Sequence, residues 1–201
     1  MPTPFRVSLT ELEMLLRLSA SVAFALAVCD FASAAEPSNW TQWRGSGRDS
    51  QLTDLSLPEK LEGNLELVWE KPHQPSYSGP ITLDGLLYTT ETVDKKSERV
   101  TAYRLETGEI EWTTQWEGAM SVPFFAAANG DWIRATPAVT EAGLIVVGMR
   151  DVMYCLDPKT GKTKWSVDFP KDMGTQLPAF GAACSPLIDG EFVYMQTGGA
   201  T

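Results

Sequence analysis

The chain has 201 residues, is 43% hydrophobic and holds seven tryptophans, ample for a packed core. Sixteen basic against 26 acidic side chains leave a formal charge of −10, which excludes a nucleic-acid backbone as partner, because that affinity comes from lysine and arginine displacing counterions. The single histidine, His73, excludes a histidine metal cluster or a Ser-His-Asp triad built within the chain.

At the N-terminus, Arg6 and Arg17 precede an uncharged run over residues 18–28, and Ala32-Ser33-Ala34 follows. That is the layout of a secretory signal with an A-x-A cleavage site. The run is shorter than the roughly 20 apolar residues a bilayer crossing takes, so no transmembrane helix is expected. Residues 1–34 are read as a signal peptide, and the mature protein as exported to the periplasm or beyond the cell. Cys29 invites a lipid anchor, but Val28 is larger than the small residue expected before a lipidated cysteine, which disfavours it. Cleavage after Ala34 leaves Cys155 and Cys184, both on predicted strands. An oxidising compartment permits a disulfide between them; two reduced thiols acting as small buried apolar residues is the preferred reading.

Residues 35–64 are polar, punctuated by Gly and Pro, and are expected to form a surface segment. Within it, Asn39-Trp40-Thr41-Gln42-Trp43-Arg44-Gly45 sets two tryptophans beside an arginine. It reads either as a ligand-stacking patch or as a plug packed on the fold, the plug being preferred because large aromatics anchor loops by burial. Leu65, Leu67 and Trp69 alternate with Glu66, Val68 and Glu70, the pattern of an outer strand with one wet face.

Three units follow. The first has strands at 80–83 and 86–90 joined by an Asp84-Gly85 hairpin, a charged and solvated loop at 93–98, and strands at 100–105 and 110–115. The second opens at Thr136-Pro137. Its residues 144–147 are apolar on both faces, as a strand between two neighbouring sheets must be, and strands at 151–156 and 162–169 complete it. The third opens at Ser185-Pro186 with a hairpin at Asp189-Gly190 and a strand at 192–197. In such a meander the connections 73–79, 93–98, 117–134, 150–151 and 170–183 emerge on one face, where function is expected. The 117–134 connection carries Phe124, Phe125, Asp131, Trp132 and Arg134, a candidate recognition surface, although packing against a neighbouring sheet explains Phe124 and Trp132 equally well.

One element occurs twice. Ala102, Thr107, Gly108 and Trp112 fall 53 residues before Cys155, Thr160, Gly161 and Trp165, while Asp157 stands where the first copy has Arg104. Asp157 can accept bonds from the turn's N–H groups, Pro158 presets φ, and Gly161 supplies a left-handed residue before the next strand.

These residues resemble the tryptophan-docking motif, A-x-D-x-x-T-G-x-x-x-W, of the pyrroloquinoline-quinone-like (PQQ-like) β-propeller repeat family. Trp40 to Gly45 also resembles the W-x-x-W-R-G opening of secreted, planctomycete-type members. The resemblance spans residues 65–201 and implies an all-β propeller of four-stranded antiparallel blades. About two and a half blades are present, so closing the ring would take further C-terminal blades. Quinoprotein dehydrogenases of the wider family use vicinal cysteines and a calcium held by carboxylates, and no adjacent cysteine pair occurs here. Neither PQQ nor calcium is therefore expected, and Asp157 is read as a turn residue rather than a metal ligand. The resemblance implies a non-catalytic, protein-binding scaffold similar to BamB-type outer-membrane assembly factors. Its alternative is a quinoprotein dehydrogenase or electron-transfer protein with its site in other blades.

Overall fold

The computed structural model describes residues 39–52 and 58–199. The predicted signal segment and Cys29 lie outside the described residues. Strands β1 (Ile81–Leu83), β2 (Leu86–Val93), β3 (Ser97–Arg104) and β4 (Ile110–Glu117) pair antiparallel in chain order. Strands β5 (Ala138–Thr140), β6 (Gly143–Val147), β7 (Val152–Leu156) and β8 (Thr163–Asp168) repeat that sheet, and β9 (Leu187–Asp189) with β10 (Phe192–Tyr194) begins a third. This is the blade meander of a β-propeller, present twice and begun a third time.

Turn chemistry fixes the meander. Asp84 and Gly85 take φ of 49° and 75°, and Leu83 pairs with Leu86, so the Asp-Gly pair forms the expected two-residue turn. In the third unit Asp189 pairs with Phe192, which moves the turn to Gly190 and Glu191, one residue later than the pattern predicts. Gly190, with φ of 58°, supplies the left-handed residue that turn needs.

Strand β6 separates two cores. Leu144 and Val146 join Ile81, Tyr88, Val100 and Trp112 of the first blade, whereas Ile145 and Val147 join Met153 and Cys155 with Ile188 and Val193 of the third unit. That alternation is the two-sided burial read from residues 144–147.

Other expectations are corrected. The solvated loop is shorter than residues 93–98: Asp94, Lys95 and Lys96 form the exposed turn, while β2 runs to Val93, β3 starts at Ser97, and Glu98 is fully buried. Its Oε1 accepts the Met149 amide at 2.7 Å and its Oε2 the Trp116 indole N–H at 2.9 Å, two donors that replace water. Residues 65–70, read as an outer strand without a partner sheet in this chain, are no correction: they form no ladder among the described residues, and Leu65 and Leu67 stand in solvent. An alternating pattern specifies a face, but ladder bonds need an adjoining strand edge. Phe169, expected to end β8, instead starts the short helix α1 (Phe169–Met173), because Asp168 caps it by accepting from Lys171 N, Pro170 suits the first turn, and Gly174 at φ 68° stops it. Cys184 likewise lies in the connection before β9 rather than on a strand. Both cysteines are free.

Candidate binding face

Residues 39–48 run across the first strands of all three units. The Thr82 N–H donates to the Trp40 carbonyl at 2.9 Å, the Val139 N–H to the Thr41 carbonyl at 2.8 Å, and Arg48 Nη1 to the Pro186 carbonyl at 3.2 Å. Trp40 packs on the first core, while Trp43 is 46% exposed with the Arg44 and Arg48 guanidiniums 5.5 and 5.4 Å from its ring. Trp40 thus packs as a plug would, while Trp43 stays half out in solvent between two guanidiniums.

A second line of bonds joins the same three places. Each unit opens with a residue followed by proline: Gly79, Thr136 and Ser185. The Gly79 N–H donates to Thr136 Oγ1 at 3.2 Å, and the Thr136 N–H donates to Ser185 Oγ at 3.0 Å.

Each repeated turn meets a tryptophan from the part of the chain before its own sheet. Trp69 Nε1 donates to the Leu105 carbonyl at 2.8 Å, and Trp112 Nε1 to the Pro158 carbonyl at 2.9 Å, the two carbonyls being 53 residues apart like the turns themselves. Gly108 and Gly161 both take φ of 68°, and a Cβ at either would collide with the ring lying on it. Ala102 and Cys155 are buried, each at a register shift before its turn. Burial raises the Cys155 thiol above its usual range. Thr107 Oγ1 accepts the Glu109 amide. Asp157 Oδ1 accepts the Thr160 hydroxyl at 3.0 Å and the Thr160 and Lys159 amides at 2.9 and 3.1 Å. The Thr160 hydroxyl, foremost among these donors, holds Asp157 below the usual carboxylate range. Arg104, in the matching place, instead pairs with Glu111 at 2.6 Å. Trp165 is 42% exposed and meets no such turn among the described residues.

The 117–134 connection contains a 3-10 helix, Phe124–Asn129. Phe124 is 91% and Phe125 70% exposed; their rings stand edge-on at 5.7 Å, and Phe180 adds a third at 6.0 Å from Phe125. Phe124 is therefore not a packing residue here, whereas Trp132 is half-buried against Tyr77 at 5.1 Å. Arg134 lies 4.9 Å over the Tyr77 ring and donates to the Phe180 and Gly130 carbonyls. Asp131 is half-buried and makes no hydrogen bond or ion pair among the described residues. Sequence reading missed Arg48, Tyr77 and Phe180 as neighbours of this surface. Tyr77 and Phe180 stand in the connections already expected on this face, and the hydroxyl residues before Pro137 and Pro186 mark where they converge.

Residues 96–201 match the family model described as outer membrane protein assembly factor BamB. The chain belongs to this PQQ-like repeat family. Solved structures similar to it include a europium-containing methanol dehydrogenase, 18% identical with a TM-score of 0.56 over 79% of this chain and 27% of that one. The quinohemoprotein alcohol dehydrogenase of Comamonas testosteroni is 20% identical, TM-score 0.56, over 90% of this chain and 27% of its own. Quinohemoprotein alcohol dehydrogenase ADHIIG of Pseudomonas putida HK5 is 22% identical, TM-score 0.56, over 82% and 23%. This chain thus spans about a quarter of their length, and at such identities the likeness bears on the fold alone. No curated protein matches the sequence. Among the described residues no three His, Cys, Asp or Glu side chains gather to hold a metal ion, and no helix is long and apolar enough to cross a membrane.

Proposed function

We propose that this PQQ-like repeat chain is part of an exported, non-catalytic propeller that binds a protein or peptide partner on the face formed by its inter-strand connections, as a BamB-type assembly factor. On this reading residues 1–34 are the signal, 35–64 an N-terminal surface segment, and 65–201 the propeller portion, in which Trp69, Trp112 and Trp165 are docking tryptophans. One observation carries it: Phe124, Phe125 and Phe180 form an aromatic cluster held out to solvent. Contiguous exposed aromatics are costly to leave in water and are enriched at the centres of protein interfaces.

A photo-activatable residue at position 124, compared in cells with one at Lys162 in the turn on the other face, tests this. A discrete protein adduct is expected at 124 and not at 162, lost in Phe125→Ser, with reduced outer-membrane protein levels in the same variant. Equal adducts at both positions would refute the reading. A second reading, a quinoprotein dehydrogenase or electron-transfer protein, is favoured by the arginine-lined recess beside Trp43, whose donors would suit a carboxylated quinone. Quinone absorbance after reconstitution separates the two.

A further inference from the structure

A recess of about 340 Å³ opens where the three units begin, lined by Trp43, Arg48, Tyr77, Arg134, Thr136 and Ser185. Its polar side chains face it as donors. Thr136 Oγ1 already accepts the Gly79 N–H and Ser185 Oγ the Thr136 N–H, so each hydroxyl oxygen serves as an acceptor while its proton meets no acceptor among the described residues. Arg48 spends one Nη on Gln42 and Pro186; Arg134 spends Nε and one Nη on the Phe180 and Gly130 carbonyls. Neither guanidinium has a carboxylate within 4.0 Å among the described residues, where the ion pairs are Arg99–Glu91 and Arg104–Glu111.

Two full positive charges therefore share one recess of a chain whose formal charge is −10. Each is held over an aromatic ring, Arg48 at 5.4 Å from Trp43 and Arg134 at 4.9 Å from Tyr77, which fixes it without neutralising it. Unspent guanidinium and hydroxyl donors converging on a small space suit an oxyanion, and a carboxylate brings about four acceptor sites to meet them.

We propose that this recess captures the C-terminal carboxylate of a peptide whose preceding apolar side chains lie on the phenylalanine cluster. The two features are continuous, because Arg134 Nε donates to the carbonyl of Phe180, whose ring stands 6.0 Å from Phe125. The volume admits a terminal residue and not a folded domain. This assignment rests on the protein-binding reading above and adds to it the end of the partner chain and its charge.

The test uses the full chain and one acetylated pentapeptide ending Leu-Val-Phe, prepared as the free acid and as the C-terminal amide and labelled for fluorescence anisotropy. The acid is expected to bind about tenfold or more tightly than the amide, the size of a charge-assisted hydrogen bond. Arg134→Gln and Arg48→Gln should erase that preference, and Arg134→Lys should retain part of it. Phe124→Ser should weaken both peptides by one factor and leave their ratio unchanged. Because the main comparison changes the ligand and not the protein, it survives any variant that folds poorly. Acid and amide binding equally would overturn the recess assignment and leave the protein-binding reading standing. Binding of neither peptide would also overturn it, the adduct at position 124 then deciding the broader reading alone. Stoichiometric uptake of pyrroloquinoline quinone, with the two peptides indistinguishable, would overturn it in favour of the quinoprotein.

Discussion

Trp112→Ala and Trp165→Ala should differ severalfold in cost, although the sequence repeat treats the two positions alike. Trp112 is 9% exposed, its Nε1 donates to the Pro158 carbonyl at 2.9 Å, its ring covers Gly161, and Tyr88 stands 6.0 Å away. Truncating a buried tryptophan costs about 3–5 kcal/mol through lost transfer energy and the cavity left behind. About 1 kcal/mol of that is the hydrogen bond. The Pro158 carbonyl keeps the Tyr88 hydroxyl at 3.2 Å, so no buried acceptor is stranded. Trp165, at 42% exposed and with no indole hydrogen bond among the described residues, should cost roughly 1–2 kcal/mol for the apolar area it covers. Trp112→Phe should cost less than Trp112→Ala, about 1–2 kcal/mol, since most of the area remains while the N–H is lost. Urea unfolding of the full chain followed by far-UV circular dichroism measures all three. Equal costs for the two alanine variants would refute the claim that the turn beneath the ring, and not the tryptophan itself, sets its worth.

Two buried carboxylates should give opposite pH dependences. Burial pushes Glu98 above the usual range even though Met149, Trp116 and Arg150 oppose it, so its favourable contribution is present at low pH and is lost as pH rises through that raised value. Wild type should therefore lose stability relative to Glu98→Gln between about pH 4 and pH 7; a gain would refute the assignment. For Glu91, burial also acts upward, but the Arg99 hydrogen bond at 2.8 Å, the Gln74 amide and the charges of Arg99 and His73 outweigh it and lower the value. Its contribution is present above the unfolded value and lost as pH falls through the lowered one, so Glu91→Gln should cost more near pH 7 than near pH 4 in the same urea assay. Gly148→Ala places a methyl group against Glu98 Oε2 and should cost about 1–3 kcal/mol. The cost should shrink in a Glu98→Ala background, and an unchanged cost in that double-mutant cycle would show that the carboxylate is not what the methyl meets.

The blades were legible because their signals are local. Period-two alternation placed β6, and the 53-residue offset aligned the two turns down to their left-handed glycines and the carbonyls that receive the indoles. What escaped depends on a neighbour. Glu98 sits in a charged run, Asp94 to Glu98, that looks solvated, and its burial comes from donors on β4 and after β6, 18 and 51 residues away. Trp165 carries the same motif as Trp112, yet burial belongs to a pair of units. At the binding face the sequence named Phe124, Phe125, Asp131, Trp132 and Arg134 from one connection. The structure draws in Tyr77 and Phe180 from two others and Trp43 from the N-terminal segment, a convergence that no single stretch records.

The donor character of the recess follows from how one blade holds the next. A proline at 80, 137 and 186 disfavours the α conformation at the residue before it, leaving that residue's N–H free of its own sheet. At Gly79 and Thr136 this N–H reaches the hydroxyl of the corresponding residue one unit on, so the bonds run in one direction, from each unit to its successor. Gly79 can donate in this series but has no hydroxyl with which to accept. Thr136 and Ser185 accept, and in accepting they commit their oxygens to holding blades together and leave their protons over. The backbone carbonyls nearby are likewise consumed, Pro186 by Arg48 and Phe180 and Gly130 by Arg134. These acceptors are engaged in assembling the fold, while the guanidiniums and hydroxyl protons lining the recess bring donors and positive charge. A site for an anion thus arises at the place where the blades are tied to one another, and a substitution such as Thr136→Val would act on the tie and the recess together.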